Sequence, residues 1–242
     1  MERSCERALE IGLPAIAFTE HAEWNVVHEG QHSVDIAGYF GAVERCRAKF
    51  KNLRIQTGVE LGEPHWFPVE TAELLAAGPL DRVLGSIHCV RIGGGLLDAS
   101  QFRSQEGLDF ASAVREYFRE TLAMVDSSQP FETLAHLDYP KRYWREGLAP
   151  YRDKDFEEQL RAILVAAART GRVLEVNTTR GNTLCPDLQV VRWWREAGGQ
   201  AVSFGSDAHQ PDKVAAGFEV AVQMVESAGF KPSPEPTALW RR

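Results

Sequence analysis

The sequence predicts an α/β fold, arranged as an incomplete TIM-like barrel within a single domain. Short apolar segments rich in β-branched and aromatic residues alternate along the chain with longer segments of helical periodicity. The apolar segments are nearly continuous, which is typical of strands that are buried on both faces of a parallel sheet or barrel. Polar and charged side chains follow at the ends of these segments, on the edge where βα barrels collect their functional residues.

The chain opens with an amphipathic helix at residues 1–12, which runs straight into the first predicted strand. Six segments have the composition of buried strands: PAIAFT (14–19), LRIQTGVEL (53–61), DRVLGSIHCV (81–90), FETLAHLD (131–138), RVLEVNT (172–178) and QAVSFGSD (200–207). Three segments between them space their apolar residues as helices do: 36–50, 108–125 and 156–168. We assign residues 1–230 to one barrel domain and the Pro-rich segment 231–242 to a C-terminal extension.

Composition and charge narrow the range of functions. The 242 residues are 44% hydrophobic and 25% charged, with a formal net charge of −7 and no block of Lys or Arg. A broad surface for nucleic acid is therefore not expected, although a few placed cations can still bind a small anion. The sequence has no apolar run of the ~20 residues that a membrane span requires, and no signal peptide. Its four cysteines are scattered without a CxxC pair, so we predict reduced thiols and a cytoplasmic protein.

Histidines and carboxylates cluster at the predicted strand ends. In chain order these positions are Glu20, His21, Glu60, His88, His136, Asn177, Asp207 and His209. One such residue alone more often caps a helix or hydrogen-bonds in the core, but six candidate ligands at equivalent positions favour a shared site. Imidazoles and carboxylates without a thiolate suit Zn²⁺, Mn²⁺ or Fe²⁺, and a carboxylate can bridge two ions.

Six motifs, in this order and spacing, carry a resemblance to a known family: GLPAIAFTEH, TGVELGEPH, VLGSIHCV, LAHLDYPKR, EVNTT and FGSDAHQPDKV. Together they resemble the PHP (polymerase and histidinol phosphatase) family over essentially the whole chain, and within it the histidinol-phosphatase branch. The resemblance implies a distorted (β/α)7 barrel that holds two or three divalent ions. It implies these ligands: Glu60 as the bridging carboxylate, His88 and His136 completing one metal site, Asp207 in a second site, and His21 with His209 in a third.

By the same resemblance the chain is a metal-dependent phosphomonoesterase. Its expected reaction is the hydrolysis of L-histidinol phosphate to L-histidinol and phosphate, a step of histidine biosynthesis. Ions bridged by Glu60 would lower the pKa of a bound water and neutralise phosphate oxygens, while Asp207 or His209 could protonate the leaving oxygen. The candidate cations for the phosphate are Arg180 first, then Lys141 and Arg142. Acids that could bind the ammonium group of the substrate are Glu23, Glu63 and Asp138.

One departure from the family pattern is the absence of its first motif, a strand ending in His-x-His before the helix at residues 1–12. The predicted barrel therefore lacks its first strand, and only the site of Glu60, His88 and His136 has its full set of ligands. Two explanations stay open: the sequence starts at an internal methionine of a longer protein, or the protein is a shortened relative that binds metal with impaired catalysis. The intact downstream motifs favour the first, because an absent strand would leave a sheet edge unpaired.

A further hypothesis rests on residues 28–32, HEGQH, which formally match the HExxH motif of zinc peptidases. In that motif His28 and His32 would bind zinc from one helix face, and Glu29 would activate water. The segment contains a glycine and closely follows a strand end, which disfavours the helix that the motif requires. A loop over the site is the simpler interpretation.

Overall fold

The structure is a computed structural model, and it describes residues 1–25, 27, 34–145, 147–180 and 183–242. Its strands are β1 (Ala15–Ala22), β2 (Arg54–Gly62), β3 (Arg82–Ser86), β4 (Cys89–Ile92), β5 (Gly95–Asp98), β6 (Thr133–Leu134), β7 (Val173–Arg180), β8 (Thr183–Cys185), β9 (Ala201–Gly205) and β10 (Trp240–Arg241). Its α-helices are α1 (Glu2–Glu10), α2 (Ile36–Lys49), α3 (Pro68–Ala76), α4 (Phe110–Asp126), α5 (Glu157–Arg169), α6 (Leu188–Glu196) and α7 (Phe218–Ser227). Short 3-10 turns lie at Ala99–Ser104, Tyr139–Tyr143, Asp153–Phe156 and Pro211–Lys213.

Parallel strands make up most of the sheet. Along it the order is β1, β2, β3, β6, β7 and β9, and every neighbouring pair in this run is parallel. Two short strands are antiparallel, since β8 pairs with β7 and β10 pairs with β9. β4 and β5 form a separate antiparallel hairpin after β3. The parallel run brings the carboxyl ends of six strands to one edge of the sheet, where the functional side chains of such folds lie.

The core lies between the sheet and the helices that follow its strands. α4 begins after Asp109, whose carboxylate accepts a hydrogen bond from the Ser112 N–H, and its apolar residues repeat every three or four positions toward the sheet. The largest side chains of this main cluster include Phe102, Tyr117, Phe118, Phe156 and Trp194. A smaller cluster joins α1 and α2 to the start of β2, and it includes Cys5, Ala8, Tyr39, Val43, Cys46 and Ile55.

Most predicted elements are observed, with one instructive difference. All six predicted strand segments contain a strand, but segment 81–90 divides after β3. The Glu63 carboxylate accepts hydrogen bonds from the N–H groups of His88 and Cys89, so the main chain turns there and then enters the β4–β5 hairpin. Helices α3, α6 and α7 were not predicted, because nine or ten residues show too few turns for a clear periodicity.

The barrel expected from the sequence does not close among the described residues. β1 pairs with β2 along its whole length, whereas its other edge has no strand partner in the described part of the chain. β9 pairs with β7, and β10 covers only its first two residues. Between β1 and β9 lies a cavity of about 480 Å³, lined by Met1 and Leu13 at its base and by His21 and Asp207 at its top. The architecture is an α/β fold around an open, mostly parallel sheet.

The C-terminal segment 231–242 returns to this sheet. β10 pairs with β9, and the Trp240 ring packs edge-on against Phe204 with 5.1 Å between ring centroids. The Arg82 guanidinium donates a hydrogen bond to the Thr237 carbonyl oxygen, which fixes the segment across the amino-terminal end of β3. The extension therefore packs against the sheet that it follows.

Two further predictions from the sequence concern membrane-spanning segments and the state of the cysteine thiols. Within the described ranges, no helix is long and apolar enough to cross a membrane. All four cysteines are free and buried.

Candidate metal centre

Four side chains meet at the carboxyl end of the parallel strands. His21 lies near the end of β1 and Glu60 near the end of β2, while His88 follows β3 and His136 follows β6. Glu60 is central: its Oε1 lies 2.8 Å from His136 Nε2 and 3.2 Å from His88 Nε2, and its Oε2 lies 3.9 Å from His21 Nδ1. The Nε2 atoms of His88 and His136 are 3.3 Å apart. The sheet thus brings together four residues that are far apart in sequence.

This cluster has the chemistry and the spacing of a divalent-metal site. One ligand atom each from His21, Glu60 and His88 can be chosen so that all lie within 4.8 Å of one another. The three atoms that Glu60, His88 and His136 direct at each other are separated by 2.8 to 3.3 Å. Ligand atoms bound at about 2.0–2.2 Å around one tetrahedral ion lie about 3.3–3.6 Å apart, so shifts of a few tenths of an ångström would let these atoms hold an ion, and imidazole and carboxylate are ordinary ligands of Zn²⁺. The residues present therefore fit a divalent ion.

The charges within the cluster depend on one another. Burial alone would raise the pKa of Glu60, but His21, His136 and His88 outweigh it and hold the pKa of this carboxyl well below its usual value. Glu60 in turn raises the pKa of His21. Burial disfavours the charged form of His88, yet Glu23 and Glu60 raise the pKa of His88 well above its usual value. Without a metal, the site therefore holds an ionised Glu60 carboxylate beside imidazoles whose raised pKa values favour the protonated form, and a bound cation would take the place of that positive charge.

We expect the metal-free protein to lose stability as the pH rises from about 6 to about 9. The pKa values of His21 and His88 in the folded chain lie above the ~6.5 of an unfolded histidine, so their protonation stabilises the fold below that pH. This contribution is lost as the pH passes the raised values. Glu63 acts in the same direction, because burial and Glu23 raise the pKa of Glu63 from 4.5 to about 8.

Differential scanning calorimetry in the presence of a chelator tests this expectation through the Tm. Added Zn²⁺ should restore the Tm at the alkaline end, because only neutral imidazoles bind a metal. A Tm of the metal-free protein that stays constant or rises over this pH range contradicts the assignment of these charges.

A second set of polar side chains lies beside the cluster, after β7 and β9. Asp207 Oδ2 accepts hydrogen bonds from Arg142 Nη1 at 3.2 Å and from Asn177 Nδ2 at 3.4 Å. The His209 side chain is 71% exposed, and its ring centroid lies 5.7 Å from that of His21. Five of these side chains border the cavity between β1 and β9: His21, Glu60, Asn177, Asp207 and His209. The structure thus brings all six predicted metal ligands to one edge of the sheet.

Two of the predicted phosphate-binding cations differ in their surroundings. Arg142 is almost fully buried against the Asp207 carboxylate. Lys141 Nζ lies 3.4 Å from Asp138 Oδ2 and 3.3 Å from Asp187 Oδ2, so two carboxylates already face its charge. Both cations line a neighbouring cavity of about 650 Å³. Arg142 is therefore the one of the two that directly contacts a predicted metal ligand.

Other predicted residues fall outside the described part of the structure. Arg180 ends β7, but its side chain is not among those described. The same holds for the whole HExxH segment, residues 28–32, with His28, Glu29 and His32. The roles proposed for these residues stay predictions.

Backbone geometry marks the same edge of the sheet. Among the described residues, four that are not glycine have a positive φ, and three of them are Glu63, His136 and Asp207. Their φ angles are 44°, 20° and 49°. Such conformations are unfavourable for side chains with a Cβ, and they persist where surrounding contacts enforce them, often at functional sites.

The sequence patterns did not predict that buried acids accept hydrogen bonds from the main chain of the site histidines. The sequence suggests Glu63 as a residue that could bind the ammonium group of the substrate. In the structure it is fully buried, and its carboxylate accepts a hydrogen bond from the His88 N–H. Glu175 is not among the residues predicted for the site. Its Oε2 accepts a hydrogen bond from the His136 N–H at 2.8 Å. An acid in the middle of the apolar strand RVLEVNT is the signal that could have identified Glu175.

The chain is similar to a known protein family and to several curated proteins. A family model described as PHP domain matches residues 1–179. A probable histidinol-phosphatase from Clostridium acetobutylicum is 28% identical over 235 residues, which cover 94% of this chain and 88% of that protein. A histidinol-phosphatase from Lactococcus lactis is 29% identical over 235 residues, covering 92% of this chain and 83% of that protein.

Solved structures give the same picture of the fold. A histidinol phosphate phosphatase from Lactococcus lactis, complexed with zinc, L-histidinol and phosphate, superposes with a TM-score of 0.81 at 24% identity, covering 95% of this chain and 87% of that one. A putative histidinol phosphatase from Listeria monocytogenes superposes with a TM-score of 0.72 at 15% identity, covering 90% of this chain and 92% of that one. At these identities the likeness extends to the α/β fold.

Proposed function

The chain belongs to the PHP domain family, and on this premise we propose that it is a metal-dependent phosphomonoesterase that hydrolyses L-histidinol phosphate to L-histidinol and phosphate. It is a hydrolase of the histidinol-phosphatase type, as its curated relatives are named, and its activity belongs to histidine biosynthesis. The observation that carries the proposal is the contact of Glu60 with three imidazoles at one edge of the parallel sheet.

The proposed ligands are the residues predicted from the sequence: His21, Glu60, His88, His136, Asp207 and His209. When bound, divalent ions would supply an activated water and neutralise phosphate oxygens. Asp207 or His209 is the proposed donor of a proton to the leaving alkoxide, whichever of the two does not bind a metal at that step. The exposure of His209 supports this role, because a proton lost there can be replaced from solvent.

The proposed phosphate-binding residues are Arg142, Lys141 and Arg180. Arg142 has the best support, because it brings a permanent positive charge to within 3.2 Å of Asp207 Oδ2. A planar guanidinium can also donate two parallel hydrogen bonds to a phosphate group. Lys141 would act mainly through its charge, which Asp138 and Asp187 already reduce.

The number of ions and the finer architecture are part of the same proposal. We propose two or three ions of Zn, Mn or Fe, with Glu60 as the bridging carboxylate. We also propose that the open sheet is a distorted (β/α)7 barrel without its first strand, because its parallel strands surround a cavity that four of the six predicted ligands border: His21, Glu60, Asp207 and His209. The partner is a small phosphorylated molecule; the net charge of −7 gives no support to a nucleic-acid partner.

Two other functions are alternatives to a phosphomonoesterase. A metal-binding protein with impaired catalysis would take up metal without releasing phosphate. A zinc peptidase would use His28, Glu29 and His32, which lie outside the described residues, and none of the relatives reported above is a peptidase.

We expect the purified chain, stripped with a chelator and then reloaded with Zn²⁺ or Mn²⁺, to release inorganic phosphate from L-histidinol phosphate. The rate should fall to background when the chelator is present, because the activated water depends on the ion. A colorimetric assay of phosphate, with a generic phosphomonoester in parallel, measures both activity and preference. Metal uptake without phosphate release from either ester would support the impaired protein instead.

A further inference from the structure

A buried carboxylate supports the metal centre from behind. Glu23 follows β1 directly, and its side chain is 1% exposed. Its Oε1 lies 2.7 Å from Nδ1 of His88, which is a short and well-placed hydrogen bond. The opposite nitrogen of the same ring, Nε2, faces Glu60 and His136. The two sides of the His88 ring are therefore engaged by different groups.

We propose that Glu23 is a positioning residue of the metal centre, one that fixes the tautomer and the ring orientation of His88. When Nδ1 carries the hydrogen and donates it to Glu23, Nε2 keeps its lone pair for an ion that His88 would hold together with Glu60 and His136. A carboxylate behind a ligating imidazole also makes the ring a stronger donor to a metal. Glu23 would thus act through the His88 imidazole on a metal that this ring holds, and its Oε1 also lies 3.5 Å from Nδ1 of His21.

The surrounding chain is built to keep Glu23 in this position. Gly62, at the end of β2, leaves space for the carboxylate, because a Cβ at this residue would overlap Glu23 Oε2. Glu63 accepts hydrogen bonds from the N–H groups of His88 and Cys89, so hydrogen bonds fix the main chain of His88 as well as its ring. The sequence suggests Glu23 as a residue that could bind the ammonium group of the substrate. This arrangement leaves Glu23 no access to that group.

Zinc affinity, measured by competition with a chromophoric chelator on the full chain, tests the inference. We expect Glu23→Gln to weaken Zn²⁺ binding about 10-fold and Glu23→Ala about 100-fold, the range found when such supporting groups are removed. Glu120→Gln is the matched control, because Glu120 is also a buried acid that contacts a histidine, at 3.2 Å from His65 Nε2. It should bind zinc as the unaltered chain does.

A second readout separates positioning from a merely structural role. In zinc-loaded protein labelled with ¹⁵N-histidine, the spectrum of His88 should show the Nδ1–H tautomer in the unaltered chain and in Glu120→Gln, and a mixture of tautomers in Glu23→Ala. Thermal unfolding without metal establishes that each variant is folded, and Glu23→Gln, which keeps the shape of the side chain, serves if Glu23→Ala is not.

Several results would overturn the inference: unchanged zinc affinity in both Glu23 variants, an equal loss in Glu120→Gln, or no zinc binding by the unaltered chain. The inference rests on the metal centre of the proposed function, but its test does not use turnover. If the chain binds zinc as expected and releases no phosphate, the proposed function fails while the role of Glu23 stands.

Discussion

Replacing His88 by alanine should reduce kcat/KM for L-histidinol phosphate by at least about 1,000-fold. His88 Nε2 lies 3.2 Å from the central Glu60 carboxylate and 3.3 Å from His136 Nε2, so the change removes one of three groups that converge on one point. Loss of an ion that stabilises transition-state charge costs several kcal/mol, which corresponds to a factor of this size. Steady-state kinetics with Zn²⁺ or Mn²⁺ in excess measures the effect.

Two variants serve as controls for His88→Ala. His65→Ala also removes a buried imidazole bonded to a carboxylate, Glu120, but it lies outside the cluster and should leave kcat/KM within a few-fold of the unaltered chain. His28→Ala tests the HExxH hypothesis. Full activity in His88→Ala, or loss of activity in His28→Ala alone, would move the chemistry away from the cluster around Glu60.

Replacing Arg142 by glutamine should affect both stability and turnover. The Arg142 side chain is 3% exposed and its partner Asp207 is 17% exposed, so the change leaves a largely buried carboxylate with only the weaker contacts from Asn177 and His209. Removing one member of such a pair costs about 3 kcal/mol of unfolding free energy. Loss of a charged hydrogen-bond donor to the phosphate should also lower kcat/KM about 100-fold. Chemical denaturation and steady-state kinetics measure the two effects separately.

Lys141→Gln is the informative comparison for Arg142→Gln. Lys141 is the neighbouring cation, but it faces Asp138 and Asp187, so its loss should destabilise the fold while changing kcat/KM by less than about 10-fold. If Lys141→Gln instead gives the larger kinetic effect, Lys141 is the cation that binds the phosphate and Arg142 is a structural residue.

Sequence patterns predicted the candidate site better than the details of the fold. The positions of His21, Glu60, His88 and His136 could be predicted because each lies at or near the end of an apolar strand segment, and parallel strands bring such ends together. The short helices α3, α6 and α7 could not, because their periodicity covers too few turns. The break after β3 also escaped prediction, since it depends on a carboxylate, Glu63, that meets the His88 main chain only in the folded protein.

The supporting acids were equally difficult to identify in advance. Glu23 and Glu175 were visible in the sequence as charged residues beside apolar segments, yet nothing local says which main-chain or ring nitrogen each contacts. Glu23 meets His88 across 65 positions and Glu175 meets His136 across 39. Such contacts follow from the order of strands in the sheet, which the sequence pattern alone does not determine.

The open edge of β1 has a consequence for the behaviour of the protein at high concentration. β1 is eight residues long, contains apolar residues such as Ile16 and Phe18, and has no strand partner on one side in the described part of the chain. A strand edge of this kind presents a row of main-chain donors and acceptors to which a strand of another molecule can add. Intermolecular strand addition along this edge of β1 is therefore one route to aggregation, and it would run up to the proposed metal ligand His21.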